Sequence, residues 1–365
     1  MDAFMRPPLL LVPGPVPLHP AVQEEMAKPA VPHYGEAFIH TYRETIDLLR
    51  HIWSSPDGRV FPIMGPGHAG LESIAFTFLR RGDRVVVQEN GFFGGRIAEV
   101  LRAHGVRTDL VASAWGGGPD VDGVRKALRE PAKALAVVHN ETSTGVTNPL
   151  GELLEAAHDA DAFVLLDAVS SFAGIPVPIE RLGIDAAFSA SQKCLAAPAG
   201  FSPVAIAPAL WESAKAPDVD GWYLNLATWS RYESEWGDWH PTPTTVSSNL
   251  FYALHRALRL VKEEGLEARY GRHAAMAARV RGGLTDLGFR FLAPPDLASN
   301  TVACAEPPAG ADAATLIHRL REDRGIYVSG GLGPLRGKVV RIGTMGTQAE
   351  PEVVDALLDG VQACL

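Results

Sequence analysis

The chain has 365 residues, with 33 basic and 42 acidic side chains and a formal net charge of −9. Hydrophobic residues make up 47% and charged residues 21%, which is typical of a soluble globular protein. The acidic balance and the scattered basic residues argue against a nucleic-acid partner. Apolar runs such as Leu9–Val12 are far shorter than the about 20 residues of a transmembrane helix, so a transmembrane helix is excluded.

The cysteines and the N-terminal residues bear on the compartment. Cys194, Cys304 and Cys364 are far apart and odd in number, which fits neither a disulfide framework nor a zinc site. The first twelve residues contain Arg6 as their only basic residue and are interrupted by prolines, unlike a secretory signal. We therefore expect a cytoplasmic protein with no metal ligands.

Short apolar runs alternate with helix-like stretches from residue 59 onward. The apolar runs predict strands at 59–64, 83–88, 106–112, 134–139, 162–167, 186–190 and 203–207. The stretches between them predict helices at 71–79, 94–104, 122–129 and 151–160. Because the runs are continuously apolar, we expect a mainly parallel sheet that is covered by helices on both faces. The predicted fold class is α/β.

The sequence changes character after Pro208. Residues 211–240 look loop-like and are rich in tryptophan and tyrosine, which suits either a subunit contact or a substrate-facing lid. Residues 247–264 predict a long helix. Beyond it we expect a long helix, a Gly330–Gly331 turn, a strand at 338–342 and a terminal helix. The predicted division is an N-terminal segment 1–20, a large domain 21–264 and a small C-terminal α/β domain 265–365.

A glycine loop between a predicted strand and helix indicates a phosphate site. Gly65–Gly70 fits G-x-G-x-x-G, and Glu89 follows at a spacing that suits a ribose contact. A nicotinamide-dependent oxidoreductase is therefore one hypothesis. Glycines at a helix N-terminus expose N–H groups to any phosphate, however, so the loop does not identify the cofactor.

One lysine and one aspartate suggest a different cofactor. Lys193 is one of only seven lysines and lies in a stretch of small and apolar residues with no other charge nearby, as expected of a desolvated amine nucleophile. Asp167 ends the most apolar predicted strand, at the sheet edge where ligands bind. A phosphate loop, a carboxylate and an isolated lysine in this order suit pyridoxal 5′-phosphate.

Six motifs carry a resemblance to a known family. They occur in order at 67–72, 90–94, 139–145, 166–171, 191–194 and 330–333, between an opening 10–15 segment and a closing Val340–Gly343. The chain resembles the class V aminotransferases of fold type I, most closely the alanine–glyoxylate/serine–pyruvate aminotransferase group. The resemblance implies a large domain with a seven-stranded, mainly parallel sheet between helices, together with a smaller C-terminal domain.

The resemblance also implies roles for individual residues. Lys193 would be the Schiff-base lysine and proton shuttle, and Asp167 would pair with the pyridine nitrogen. Arg341 would bind the substrate carboxylate, and Thr245 would reach the phosphate of a neighbouring subunit. The other implied cofactor contacts are Gly67, His68, Ala69, Phe93, Thr142, Val169 and Gln192.

One position departs from the family pattern. Where the family has a second phosphate-binding residue, a tyrosine, this chain has Thr242, so Trp239 or His240 could take its place. The expected function is transfer of an amino group to glyoxylate or pyruvate by a ping-pong mechanism in a homodimer with shared sites. A lyase, or a transaminase with an unusual amine donor, is the alternative within the family, and a non-catalytic role would leave Lys193 and Asp167 unexplained.

Overall fold

The computed structural model describes residues 8–215 and 221–365. The first seven residues of the predicted N-terminal segment, and residues 216–220 of the predicted large domain, lie outside the described residues. In the described part, no helix combines the length and the apolar character that crossing a bilayer requires.

The strands number fifteen in the described residues. They are β1 (Leu9–Leu10), β2 (Arg59–Met64), β3 (Arg84–Glu89), β4 (Arg107–Ala112), β5 (Ala134–Val138), β6 (Asn140–Glu141), β7 (Val146–Thr147), β8 (Phe163–Asp167), β9 (Ala186–Phe188), β10 (Phe201–Ile206), β11 (Arg290–Phe291), β12 (Val302–Glu306), β13 (Ile326–Tyr327), β14 (Ser329–Gly330) and β15 (Val340–Gly343).

The α-helices alternate with these strands. They are α1 (Pro20–Ala27), α2 (Glu36–Trp53), α3 (Gly67–Phe78), α4 (Phe92–Ala103), α5 (Val121–Ala127), α6 (Gly151–Asp159), α7 (Ile179–Leu182), α8 (Pro208–Glu212), α9 (Leu226–Trp236), α10 (Ser248–Glu264), α11 (Leu266–Asp286), α12 (Ala313–Arg324) and α13 (Pro351–Cys364).

A seven-stranded sheet forms the centre of the molecule, in the order β2-β10-β9-β8-β5-β3-β4. Strand β10 runs antiparallel to β2 and β9, and the other neighbours are parallel. Two hydrophobic clusters cover its two faces, because side chains of the fully buried strands alternate between them. The predicted α/β class and mainly parallel sheet are confirmed.

A four-stranded antiparallel sheet, β11-β12-β15-β14, lies in the C-terminal part of the chain with its own apolar cluster. Strand β1 pairs with β13, which attaches the N-terminal segment to this part. The domain limits at residues 20 and 264 stay a prediction.

Two local expectations are wrong. The segment 211–240 is not a loop throughout, because α9 occupies its centre. The Asn225 side chain accepts a hydrogen bond from the Ala227 N–H at the start of α9, and Trp229 packs into the core on one face of this helix. Gly330 belongs to β14 rather than to a turn, because it pairs with Val340.

Candidate active site

A cavity of about 210 Å³ lies where strands of the large sheet end and two helices begin. The carboxyl ends of parallel strands and the N-termini of the following helices meet at one edge of such a sheet, which is the usual ligand site of open α/β folds. The lining residues are Pro66, Gly67, His68, Leu71, Phe93, Arg96, Ile97, Val138, Asn140, Thr142, Asp167, Val169, Phe188, Ala190, Gln192 and Lys193. Most of the residues predicted to contact a cofactor therefore surround one cavity.

Lys193 lies in the loop between β9 and β10, and its ammonium group is largely withdrawn from water. Burial lowers the pKa of Lys193 to about 8, because the charged form loses its hydration. The side-chain Nζ donates a hydrogen bond to the carbonyl of Pro13 in the N-terminal segment. A methyl group added at Gly14 would lie 2.8 Å from this nitrogen, so the N-terminal segment covers the lysine closely. A pKa near neutrality makes Lys193 a competent nucleophile and base.

Asp167 is the last residue of β8 and is buried at the cavity wall. Its Oδ1 accepts a hydrogen bond from the Val169 N–H at 2.8 Å. The pKa of Asp167 is raised to about 7, mainly by burial. The hydrogen bond from the Val169 N–H and the charge of Lys193 oppose this rise, and the charge of Glu141 contributes to it. A carboxyl group with this proton affinity can share a proton with a basic ring nitrogen.

The start of α3 has the features of a phosphate cradle. Gly67 and His68 are its first two residues, and the first N–H groups of a helix have no intrahelical acceptor. A methyl group added at Gly67 would lie 3.2 Å from the Val169 Cγ2 and 3.3 Å from the Ala190 Cβ, so it would fill the cradle. The third predicted residue, Ala69, is buried in α3 but is not part of the cavity wall.

A buried polar atom nearby also lacks a partner. The Oε1 atom of Gln192 is buried without a hydrogen-bond partner among the described residues, and Gln192 lines the same cavity. Such an atom is costly to leave unpaired unless a ligand completes its hydrogen bonding. The donor set around the cavity therefore fits pyridoxal 5′-phosphate: a helix N-terminus and Gln192 for the phosphate, Asp167 for the ring nitrogen and Lys193 for the aldehyde.

Phe93 and Val169 supply apolar surface on the cavity wall, and Thr142 supplies a hydroxyl group. The Thr142 Oγ1 lies 2.6 Å from the Ser170 Oγ, so this hydroxyl is held in place by a neighbour. Two apolar side chains and a fixed hydroxyl group suit the flat, partly polar ring of the cofactor.

Arg341 is buried in β15 and is not part of the cavity wall itself. Its Nε donates to the Gly330 carbonyl at 2.8 Å, and its Nη1 donates to the carbonyl of Thr142 at 3.3 Å. These bonds hold the guanidinium next to a residue that does line the cavity. The remaining N–H groups of Arg341 can bind a carboxylate, as a planar guanidinium does well.

Thr245 does not join the other predicted residues within the chain. It is exposed, and neither it nor Trp239 or His240 lines the cavity. Thr242, at the position of the family tyrosine, is buried, and its Oγ1 donates to the Thr244 carbonyl at 3.0 Å. The contact of Thr245 with the phosphate of a neighbouring subunit stays a prediction.

Sequence reasoning missed four polar residues around the site. Arg96 and Asn140 line the cavity, and Glu141 is buried beside it. Arg269, in α11, donates to the carbonyl of Cys194, directly after the lysine. Asn140 and Glu141 fall inside a motif that the sequence does show, whereas no local signal marks Arg269.

Comparison with known proteins decides the family. The model of the family described as "Aminotransferase class-V" matches residues 22–357. The chain belongs to the class V aminotransferases. It is 36% identical over 360 residues to an uncharacterized aminotransferase of Methanocaldococcus jannaschii, covering 98% of this chain and 92% of that protein.

Two further similarities extend over nearly the whole chain. The (S)-ureidoglycine–glyoxylate transaminase of Bacillus subtilis is 32% identical, with 98% of this chain and 90% of that protein covered. The crystal structure of an alanine–glyoxylate aminotransferase from Nostoc sp. superposes with a TM-score of 0.93 at 31% identity, covering 100% of this chain and 97% of that one. The predicted class V aminotransferase is confirmed, and the nicotinamide-dependent alternative is set aside.

Proposed function

We propose that this class V aminotransferase uses pyridoxal 5′-phosphate to transfer an amino group from a small amino donor to glyoxylate or pyruvate. The observation that carries the proposal is the placement of the low-pKa amine of Lys193 and the carboxyl group of Asp167 on one cavity, at the N-terminus of α3. The choice of acceptor is supported by two relatives whose names specify glyoxylate.

The residues of the chain divide the work. When bound, the cofactor supplies an aldehyde that takes up amino groups and a ring that delocalises negative charge from the substrate Cα. Lys193 would hold the cofactor and, as a general base, would move the proton at the substrate Cα. Asp167 would keep a proton on the ring nitrogen, and Arg341 would orient the substrate by its carboxylate.

A donor screen tests the reaction. Purified protein is incubated with cofactor, a panel of amino acids and either glyoxylate or pyruvate, and the amino acid formed is quantified. Formation of glycine or alanine supports the proposal. Release of ammonia without a new amino acid would indicate the lyase alternative and overturn it.

The role of Lys193 has a direct chemical test. Borohydride reduction of the loaded protein, followed by peptide mass mapping, should label Lys193. The Lys193→Ala variant should lose turnover but keep its fold, whereas Lys262→Ala, an exposed lysine in α10, should match the wild type. Normal turnover by the Lys193→Ala variant would refute the proposed mechanism.

We also propose a homodimer with shared sites. Thr245 is exposed, and an aromatic surface formed by Tyr34, Trp222, Trp236 and Trp239 is exposed as well, as suits a subunit contact. Mixing Lys193→Ala with Thr245→Glu subunits should restore activity that neither variant has, because one mixed site is intact. Failure to restore activity in verified mixed dimers would exclude shared sites.

A cytoplasmic location is part of the proposal. Cys194, Cys304 and Cys364 are all free thiols and are buried, which suits a reducing compartment. Subcellular fractionation with an antibody against the protein would check it, and recovery outside the cytoplasm would contradict it.

A further inference from the structure

Glu141 is a buried carboxylate beside the active site that the proposed reaction does not use. It ends the short strand β6 and has no measurable exposure to solvent. An ionised carboxylate in such a place needs several donors to offset its lost hydration. Its partners therefore show what it holds in place.

Each carboxylate oxygen of Glu141 has a partner. Oε1 accepts from the Ser143 N–H at 2.9 Å and from the Ser143 hydroxyl at 2.6 Å. Oε2 accepts from the Phe93 N–H at 3.0 Å. The side chain thus links the 141–143 turn to the first turn of α4.

This link replaces the cap that α4 lacks. Gly91, at the N-cap position, has no side chain to offer, and Glu141 approaches so closely that a methyl group at Gly91 would lie 2.5 Å from the carboxyl carbon of Glu141. The Ser143 hydroxyl also accepts from the Phe92 N–H at 2.9 Å. A negative charge at the N-terminus of a helix is favourable, so the backbone of Phe92 and Phe93 is fixed by this turn.

The same turn contacts the arginine that is expected to bind substrate. The Arg341 Nη1 donates to the carbonyl of Thr142, between Glu141 and Ser143. Burial raises the pKa of Glu141, and the hydrogen bonds from Ser143 and from the first turn of α4 oppose that rise. The contacts that stabilise the ionised Glu141 are therefore the same ones that fix the turn and the start of α4.

We propose that Glu141 is a positioning residue of the active site, which holds the ring of Phe93 at the cavity wall and the turn against which Arg341 lies. The proposal rests on the proposed function, since Phe93 and Arg341 act there on cofactor and substrate. Through one carboxylate, the cofactor wall and the substrate-binding arginine share a common support.

The test compares Glu141→Gln with Glu152→Gln, an exposed glutamate of α6, in the protein loaded with pyridoxal 5′-phosphate. Glutamine keeps the size of the side chain but replaces one acceptor oxygen by a donor. We expect Glu141→Gln to change the visible circular dichroism of the bound cofactor and to raise the KM for the oxo acid about tenfold, with a smaller fall in kcat, as for loss of a charge-assisted contact. Glu152→Gln should leave both unchanged.

A second variant keeps the proposal testable if Glu141→Gln folds poorly. Gly91→Ala leaves all charges in place, but its methyl group displaces the Glu141 carboxylate. It should produce the same dichroism change and rise in KM. If either folded variant lowers only the melting temperature, with dichroism and KM as in the wild type, Glu141 is merely structural and the proposal is wrong. If the wild type itself binds no cofactor, the proposed function fails first.

Discussion

Arg269 is the residue through which α11 holds the lysine loop, and its removal should be costly. Its Nε donates to the Ala173 carbonyl at 2.8 Å, its Nη2 donates to the Cys194 carbonyl, and its Nη1 pairs with Glu264 at the end of α10. The side chain is about 6% exposed, so these bonds are shielded from water.

The magnitude follows from these contacts. In Arg269→Met the apolar stem still packs, but the carbonyls of Ala173 and Cys194 lose this donor, while Glu264 keeps its ion pair with Arg272. A buried acceptor that is left without its donor costs about 1–3 kcal/mol. With two such carbonyls, we expect the free energy of unfolding to fall by at least about 2 kcal/mol.

Urea denaturation of the cofactor-free protein measures the loss, as a lower midpoint at an unchanged slope. The control is Arg279→Met in the same helix, where the ion pair with Asp355 is about half exposed and should contribute less than about 1 kcal/mol. Equal effects of the two substitutions, or a loss below about 1 kcal/mol for Arg269→Met, would refute the reasoning.

Three further predictions concern the cavity. Gly14→Ala should slow the covalent uptake of cofactor, because Gly14 has φ +86° and the added methyl group would lie 2.8 Å from the Lys193 Nζ. The rate is measured by absorbance in stopped flow, and an unchanged rate would contradict the close approach of Gly14 to Lys193. Gly67→Val should weaken cofactor binding at least about tenfold in an equilibrium titration, because its branched side chain fills the cradle, and it should also lower the melting temperature of the cofactor-free protein, because the added atoms meet Val169 and Ala190. Wild-type affinity for the cofactor would exclude a phosphate site there. Asp167 has a folded pKa of about 7, so it takes up a proton on folding, and its contribution to the stability of the cofactor-free protein should fall from about pH 4 to 7. Lys193 has a folded pKa of about 8, so it releases a proton on folding, and its contribution should rise from about pH 8 to 10. Urea midpoints of the wild type, compared with an Asp167→Asn/Lys193→Met variant across pH, would show a flat difference if the two groups were not perturbed.

Secondary structure was predictable wherever burial was uniform. The apolar runs at 59–64 and 162–167 correspond to β2 and β8 within a residue, because a strand buried on both faces tolerates few polar side chains. The segment 211–240 misled because exposed aromatic residues hide the helical period of α9. There, Trp229 is buried by the tertiary fold while Trp236 is exposed, and no local rule separates the two.

The chemistry of the site could be predicted from the sequence, because it depends on residue types that are rare in such surroundings. An isolated lysine, a strand-ending aspartate and glycines at a helix start each have a high cost elsewhere, so their order alone indicated a cofactor of the pyridoxal type. What only the tertiary structure decided is how these groups are supported. The supporting contacts join residues that are far apart in the sequence. Glu141 lies 48 positions from Phe93, Arg269 lies 75 positions from Cys194, and Pro13 lies 180 positions from Lys193. A hydrogen bond depends on the distance between two atoms in space. The separation of two residues in the sequence does not determine that distance, which is fixed only when the chain has folded.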